Sequence, residues 1–396
     1  MKQHTLLLPL CLLVTIPCQA GGLYLYETGT DDLGLASAGM AARAQDATVQ
    51  FMNPAGLSHL KGRHLTVAGQ LLYGDAPYDL DDPTQEDVDT VIGWFPAASF
   101  YYSQQIDDRW SLGFATYGNF GLGLDFGDWA GKQLVKEATL IALTLQPSVA
   151  YRVDEHWSLG AALGINYGLF SLKRDTPQGG SKLDDSDWAL NAKLGLLYEF
   201  DQGTRVGLGY SSPVKYHFDI NTQTTINRPS LPAITVDLPL SGLVNSPQQL
   251  MVSGYHQLAP DWAIMANLGW QDWSDYNNNQ VAVFNQANAS KNLYQDTYHL
   301  ALGLQHNLSP QLTLNGGLAF DSSAYRDQDN TSLMLPSGNT LRVGTGFKYA
   351  LNGQDAIGAG FEYARIDSAR VQEDHLSGRY DSPSLYFFSA NYSKTF

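Results

Sequence analysis

Residues 33–57 read LGLASAGMAARAQDATVQFMNPAGL. Side chains are small at nearly every second place as far as Asp46, and the triplet Asn53-Pro54-Ala55 follows. A strand calls for β-branched and aromatic residues, and an amphipathic helix for a wider apolar stripe. Gly34, Gly39 and Gly56 suit instead a compact segment that fits closely inside something else. From residue 63 the pattern changes to strand, turn, strand, loop, repeated to the last residue. The expected fold is all-β: a transmembrane antiparallel β-barrel over residues 63–396, with residues 21–62 as a hatch inside its lumen.

The chain opens with Lys2, an apolar run over 6–16 and Cys18-Gln19-Ala20. This is a secretory signal pattern over residues 1–20, with cleavage expected after Ala20. The run is too short to span a bilayer, and Pro17 fits poorly before an acylated Cys18. Both cysteines, Cys11 and Cys18, fall inside the signal, which leaves no thiol for disulfides, catalysis or metal binding. Without Lys2, the 23 basic residues become 22 against 39 acidic ones, moving the formal charge from −16 to −17. Such a chain repels phosphate backbones, so nucleic acid is excluded as a partner.

Past residue 20 no apolar run approaches the length of a transmembrane helix. Segments of about ten residues alternate apolar with small or polar side chains, the signature of a membrane-spanning strand. Trp157, Leu159, Ala161, Leu163, Ile165 and Tyr167 share one face, against Ser158, Gly160, Ala162, Gly164 and Asn166. Residues 141–151 and 262–270 repeat the pattern, the latter with Trp262 and Trp270 at its two ends. Short polar links at 107–109, 154–156, 201–203, 259–261, 309–310 and 352–353 alternate with longer stretches near 75–93, 119–137, 174–187, 219–247, 273–293, 321–338 and 367–383. Short turns on one side and long loops on the other are the asymmetry of an outer-membrane barrel, and the links imply about fourteen strands. The last strand places Tyr386, Phe388, Ala390, Tyr392 and the terminal Phe396 on one face.

The chain resembles the FadL-type outer-membrane transporters of long-chain fatty acids and other hydrophobic compounds. The resemblance is carried by Glu27, Gly34, Ala38-Gly39, Ala41, Asp46 and Asn53-Pro54-Ala55. Asn119-Phe120-Gly121, Trp129-Ala130-Gly131, Ala150-Tyr151-Arg152, Thr204-Arg205-Val206-Gly207, Ala319-Phe320-Asp321 and Leu335-Pro336 follow in register. It implies a monomeric, cofactor-free barrel of the Gram-negative outer membrane, set in lipid and lipopolysaccharide and inserted by the barrel assembly machinery. It also implies capture of a hydrophobic ligand at an outer groove, passage to an inner pocket, and sideways release where the third strand is kinked. Moving such a cargo between apolar phases conserves about 0.8 kcal/mol per buried CH₂.

Candidate site residues follow from the same match. Asp46, Asn53, Pro54 and Ala55 are assigned to the hatch, although Asn-Pro also begins ordinary turns. Asn119, Phe120 and Gly121 stand where the third strand, 109–118, is expected to end, and are the candidate kink; a glycine-rich loop start is the alternative. Leu122, Leu124, Phe126 and Trp129 either form the outer groove or close the barrel top by packing loop on loop. Arg174 and Lys291 fall near the family's head-group cations, or are solvated loop charges. The loop after Arg174 lacks the long insertion of the fatty-acid members. Asp79, Asp81, Asp82, Glu86, Asp87 and Asp89 match no calcium-loop spacing and read as a solvated face, so no metal site is assigned.

Two other classes compete. A lipid-modifying enzyme of the outer membrane needs a Ser, His and acid assembled at the rim, and no G-x-S-x-G or H-E-x-x-H motif occurs. No catalytic residue is assigned. A plug argues against an open diffusion porin, although surface loops can serve phages incidentally.

Overall fold

The computed structural model describes residues 25–176, 179–228, 231–278, 280–283, 286–287, 292–372 and 376–396. The proposed signal at 1–20 and the site candidate Lys291 lie outside the described residues.

Fourteen strands close into an antiparallel barrel in which each pairs with its neighbours in sequence and the last returns to the first. They are β1 (Arg63–Asp75), β2 (Gly93–Gln105), β3 (Trp110–Asp125), β4 (Glu137–Arg152), β5 (Trp157–Thr176), β6 (Gly179–Glu199) and β7 (Thr204–Ser211). The second half comprises β8 (Gln249–Ala259), β9 (Trp262–Gln271), β10 (Thr297–Asn307), β11 (Leu312–Asp321), β12 (Thr340–Ala350), β13 (Asp355–Ile366) and β14 (Ser384–Thr395). Closure rests on twelve consecutive β1–β14 pairs, from His64–Thr395 to Asp75–Ser384.

Period-two alternation sets the two faces of the wall. Leu159, Leu194, Leu268, Leu302, Leu318 and Leu341 point outward and are 49–64% exposed, while their inward neighbours Ser158, Lys193, Asn267 and Ala301 are buried. In hydrocarbon the outward band is a stabilising feature, on the order of 1.5–3 kcal/mol for each large side chain removed from water. Aromatic pairs mark both edges of the band. Trp110–Tyr151 and Trp157–Tyr198 lie toward the short turns, and Tyr73–Trp94 and Tyr167–Trp188 toward the long loops, as membrane interfaces require.

Three of the short turns share one chemistry. The Oδ1 atoms of Asp107 and Asp154 each accept two backbone N–H bonds from the residues two and three places on, at 2.7–2.8 Å. Asp201 accepts from Gly203 N at 2.7 Å. These bonds favour the carboxylate and hold all three acids below their ordinary range.

At the opposite end two strands run past the wall. Of residues 174–187, expected as a loop, 174–176 and 179–187 extend the β5–β6 pairing out to Thr176–Gly179. Residues 219–228 and 231–246 likewise belong to paired strands, Val214–Arg228 and Leu231–Ser246, within a four-stranded sheet completed by Gln280–Val283 and Gln286–Ala287. The threonine-rich, β-branched composition of 220–226 favours strand over loop. A three-stranded sheet of Tyr78–Leu80, Ala369–Val371 and Gly378–Tyr380 covers another part of this end.

The N-terminal segment fills the lumen. Between residues 26 and 60 every side chain is buried except Gln45 and His59. The segment has one α-helical turn, α1 (Thr30–Gly34), and two 3₁₀ turns, Ala47–Phe51 and Pro54–His59. Asp46 caps the first 3₁₀ turn by accepting from Thr48 N at 2.9 Å, and Asn53 caps the second by accepting from Ala55 N at 3.0 Å. The wall is thinned to receive them. A Cβ at Gly207 would stand 1.9 Å from Ala41 O, and one at Gly160 would stand 2.1 Å from Ala55 N, so hatch and wall backbones meet only because these residues have no side chain.

Candidate functional site

The seam between β2 and β3 is incomplete. β2 and β3 pair from Gln105–Ser111 up to Phe100–Thr116 and no further. β2 nevertheless stays paired to β1 up to Gly93, and β3 to β4 up to Asp125. The seam closes again where Asp125 N donates to Val91 O at 2.7 Å. Between these two fastenings lies a window framed by residues 93–99 and 117–124. Pro96, Ala97 and Ala98 are all exposed, where a closed wall alternates. Pro96 has no N–H to offer a ladder and belongs at such an edge.

The window has a local cause on β3. Gly118 pairs with Leu143 and Phe120 with Ala142, so Asn119 is an extra residue. A bulge of this kind bends its strand and sharpens its twist. Two residues later Gly121 has φ of 120°, and a Cβ there would lie 1.9 Å from Leu140 O. Only glycine fits. The expectation that the third strand ends at Gly118 is corrected: the strand bends at Asn119 and continues to Asp125. The side chains of Asn119 and Leu122 lie outside what the structure describes.

Behind the window is a cavity of about 300 Å³. Its floor is Leu25, Glu27 and Thr28 of the N-terminal segment, and its walls include Leu72, Phe95, Phe120, Ile141, Leu169 and Phe387. Several polar atoms at its base bond to one another, while Glu27 Oε2 and Thr28 Oγ1 have no hydrogen-bond partner. Gln70 Nε2 donates to Thr28 O at 3.0 Å and to Ser99 Oγ at 2.9 Å, and Ser99 Oγ donates to Thr28 O at 2.7 Å. The result is an apolar chamber with a lateral mouth, the kind of site that accepts a hydrophobic ligand.

Charged groups tie the floor to the far wall. Arg342 of β12 pairs with Glu27, with Asp321 of β11, and with Glu362 of β13 at 2.9 Å. Arg43 pairs with Asp32 at 2.7 Å inside the segment, and Lys348 lies 3.7 Å from both Asp31 and Asp46. Asn53 Nδ2 donates to Ala41 O at 2.7 Å and to Leu196 O at 3.0 Å, joining two parts of the segment to β6. Ala55 follows Pro54 into the tight contact with Gly160. The four hatch candidates are therefore caps and close-contact residues.

One arrangement was invisible in the sequence. Ser37 Oγ lies 2.8 Å from His299 Nε2, and His299 Nδ1 lies 2.6 Å from Asp321 Oδ1. This has the order of a catalytic triad, assembled across 262 and 22 residues. Ser37 Oγ is also bonded to Ala36 O at 2.6 Å. All three side chains are 3% exposed and none lines a described cavity. The chain of bonds fastens the segment to β10 and β11.

The remaining candidates fall elsewhere. Leu124, Phe126 and Trp129 are each under a tenth exposed and pack with Tyr78, Val91, Leu333 and Tyr380 of other loops. Trp129 Nε1 donates to Val135 O at 2.7 Å. They form the core of a cap across the long-loop end and do not line an open apolar groove. Phe126 and Trp129 reach the edge of a wide cleft of about 630 Å³, but Glu86, Asp87, Asp89, Asp125 and Asp128 also line it. Arg174 is half-buried on the β5 extension, opposite Ser181, and is not among the residues lining the lateral cavity. Of the acidic first loop, Asp81 pairs with Arg370 at 2.6 Å and Asp87 accepts from Leu80 N at 2.7 Å.

Phe120 and Ala142 have a second face. Together with Tyr117, Thr144, Asn166, Asn191 and Lys193 they line a small polar chamber of about 20 Å³. Lys193 Nζ donates to Phe51 O at 2.6 Å and to Tyr117 Oη at 2.8 Å. The sequence reading passed over Lys193, which alternates with Asn191 and Gly195 as an ordinary inward position of β6.

Comparison with known proteins agrees with this architecture. A long-chain fatty acid transport protein of Salmonella typhi is 27% identical over 446 residues, covering 100% of both chains. Outer membrane protein P1 of Haemophilus influenzae is 25% identical, covering 99% of this chain and 96% of its own. Among solved structures, a FadL homologue from Pseudomonas aeruginosa superposes with a TM-score of 0.78 at 16% identity, over 95% of this chain and 100% of the other. The Pseudomonas putida toluene transporter TodX gives 0.74 at 17%, over 96% and 100%. The profile of the outer membrane protein transport family, OMPP1/FadL/TodX, matches residues 11–396, and the chain belongs to that family of Gram-negative outer-membrane barrels.

Proposed function

We propose that this protein takes up hydrophobic molecules passively, receiving them in the cavity behind the β2–β3 seam and releasing them sideways into the membrane through the window. The observation that carries the reading is the unpaired seam itself, with an apolar cavity opening onto it. A cargo leaving by this route passes from an apolar chamber to hydrocarbon and is never rehydrated, which conserves the free energy of its capture. The names of the relatives, fatty-acid and toluene transporters, bracket the class of cargo. Residues 21–62 act as the hatch that denies a straight aqueous path, after removal of a signal at 1–20. The protein works as a monomer among lipid and lipopolysaccharide, and the barrel assembly machinery inserts it.

An enzymatic reading draws on the Ser37–His299–Asp321 chain, but a triad needs a substrate within reach of its serine, and no described cavity reaches Ser37. The protein is not an enzyme on this reading. The test is uptake of radiolabelled fatty acid and of toluene by cells lacking transporters of their own. Expression of the protein accelerates entry of hydrophobes and leaves entry of a small sugar unchanged. Faster sugar entry without faster hydrophobe entry identifies a porin and overturns the proposal.

A further inference from the structure

The apolar cavity behind the window has two unsatisfied oxygens in its floor. Glu27 Oε2 and Thr28 Oγ1 are buried without a hydrogen-bond partner among the described residues, and both residues line the cavity. Glu27 is 7% exposed and Thr28 3%. An unpaired buried polar atom is costly, and a charged one more so, so two in succession call for a physical reason. Their other oxygens are used: Arg342 takes Glu27 Oε1, and Thr28 O accepts from Gln70 and Ser99.

Glu27 is also the one charged residue among the described residues that line this cavity. Arg342 does not belong to it alone, because the same guanidinium serves Asp321 and Glu362. The floor therefore accepts hydrogen bonds and repels a second carboxylate. The wide outer cleft bordered by Asp125, whose N–H closes the window, has the same sign. Glu86, Asp87, Asp89, Asp125 and Asp128 line it, and of these Asp128 alone has a lysine partner among the described residues.

A carboxylate oxygen only accepts, whereas a threonine hydroxyl also donates. A ligand group with its own O–H answers both. A plain hydrocarbon makes neither bond, and a carboxylate anion has no donor and sets a like charge against Glu27. Glu27 and Thr28 are successive residues with Cα atoms about 3.8 Å apart, so they can serve the same end of one ligand.

We propose that the lateral cavity binds neutral hydrophobes that end in a hydroxyl, as a long-chain alcohol does. The chain lies among Leu72, Phe95, Ile141 and Phe387, the O–H donates to Glu27 Oε2, and the oxygen accepts from Thr28 Oγ1. This rests on the uptake reading above and ranks its cargo. A fatty-acid anion still gains by burying its chain, but it is the weaker ligand. Neither oxygen is open to water as the site stands, so both side chains turn slightly toward the chamber when the hydroxyl arrives.

The test is equilibrium binding of radiolabelled 1-decanol, decane and decanoate to the purified barrel in detergent, each referred to its partition into protein-free micelles. The wild type binds decanol about 10- to 100-fold more tightly than decane, the range for a hydrogen bond to a charged group, and binds decanoate more weakly than decanol. Thr28→Val, which keeps the shape of the side chain and removes its hydroxyl, lowers the decanol-to-decane ratio severalfold. Glu27→Gln lowers the ratio as well and brings decanoate closer to decanol. Equal wild-type affinity for decanol and decane overturns the proposal. That is also the result if Glu27 Oε2 takes a proton held on Glu362, which shares Arg342 Nη1 with Glu27. Decanoate bound as tightly as decanol, or an unchanged ratio in either variant, overturns it too. In all these cases hydrophobes still bind and the uptake reading stands. Failure of the wild type to bind any of the three removes both.

Discussion

Arg342 illustrates how a single side chain secures this structure. It projects from β12 into a site where Glu27, Asp321 and Glu362 converge, and all four groups are buried. Removing one member of such a cluster leaves uncompensated charge in a poorly solvated interior, which is far costlier than the cluster's net worth. Arg342→Met is expected to lower the stability of the folded barrel by about 3–5 kcal/mol, read as a drop in the urea midpoint of its compact form on gels. An unchanged midpoint would mean that water enters the cluster and solvates the acids. Lys193 and Arg205 belong to the opposite case: both are buried with no carboxylate within ion-pair distance among the described residues, and both bond to backbone carbonyls instead, Lys193 also to Tyr117 Oη.

At the level of elements, hatch and wall are complementary through absence of atoms. The hatch backbone touches β5 at Gly160, β7 at Gly207 and β11 at Gly317, where a Cβ would stand 1.9–2.1 Å from Ala55 N, Ala41 O and Leu35 O. Asp46 and Asn53 keep the two 3₁₀ turns wound, so that Ala55 and Ala41 arrive at those glycines. Gly207→Val therefore forces the hatch off β7. Its expected consequence is raised ion conductance in planar bilayers, with the barrel still folded, because the lumen is no longer filled. Conductance equal to the wild type would show that the hatch relaxes without opening a path. The window depends on an element-level defect as well. One extra residue in β3, followed by a glycine with φ of 120°, separates two strands that would otherwise zip to their ends.

Across the whole molecule, the barrel was largely legible in the sequence, because period-two alternation is a local signal repeated fourteen times and turn residues punctuate it. The outward faces of 141–151, 157–167 and 262–270 emerge as read. The small-residue stretch is buried, and its backbone lies against barrel glycines. Non-local geometry was less legible. The hairpins at 174–187 and 219–247 were read as loops because polar, threonine-rich strands outside a membrane have no apolar face to betray them. For Leu124, Phe126 and Trp129 the sequence left an outer groove and loop-on-loop packing open, because the choice depends on contacts with residues 78, 91 and 380. Lys193 and Arg342 sit on inward faces where any polar residue fits the pattern, so nothing local distinguishes a buried clamp from a solvated charge. The kink at Asn119 to Gly121 was visible as a glycine-rich motif, although the strand's continuation to Asp125 was not.

Lateral release through the β2–β3 window is the central claim, and deleting Asn119 tests it most directly. The deletion removes the bulge, aligns Phe120 and the residues beyond it with β2, and lets the seam pair past Phe100–Thr116. The account predicts that fatty-acid uptake by cells expressing the deleted protein falls to that of cells without it, while the barrel folds and binds ligand as before. Uptake at the wild-type rate through a protein whose seam is shown to be closed would contradict the account and direct the cargo through the hatch instead.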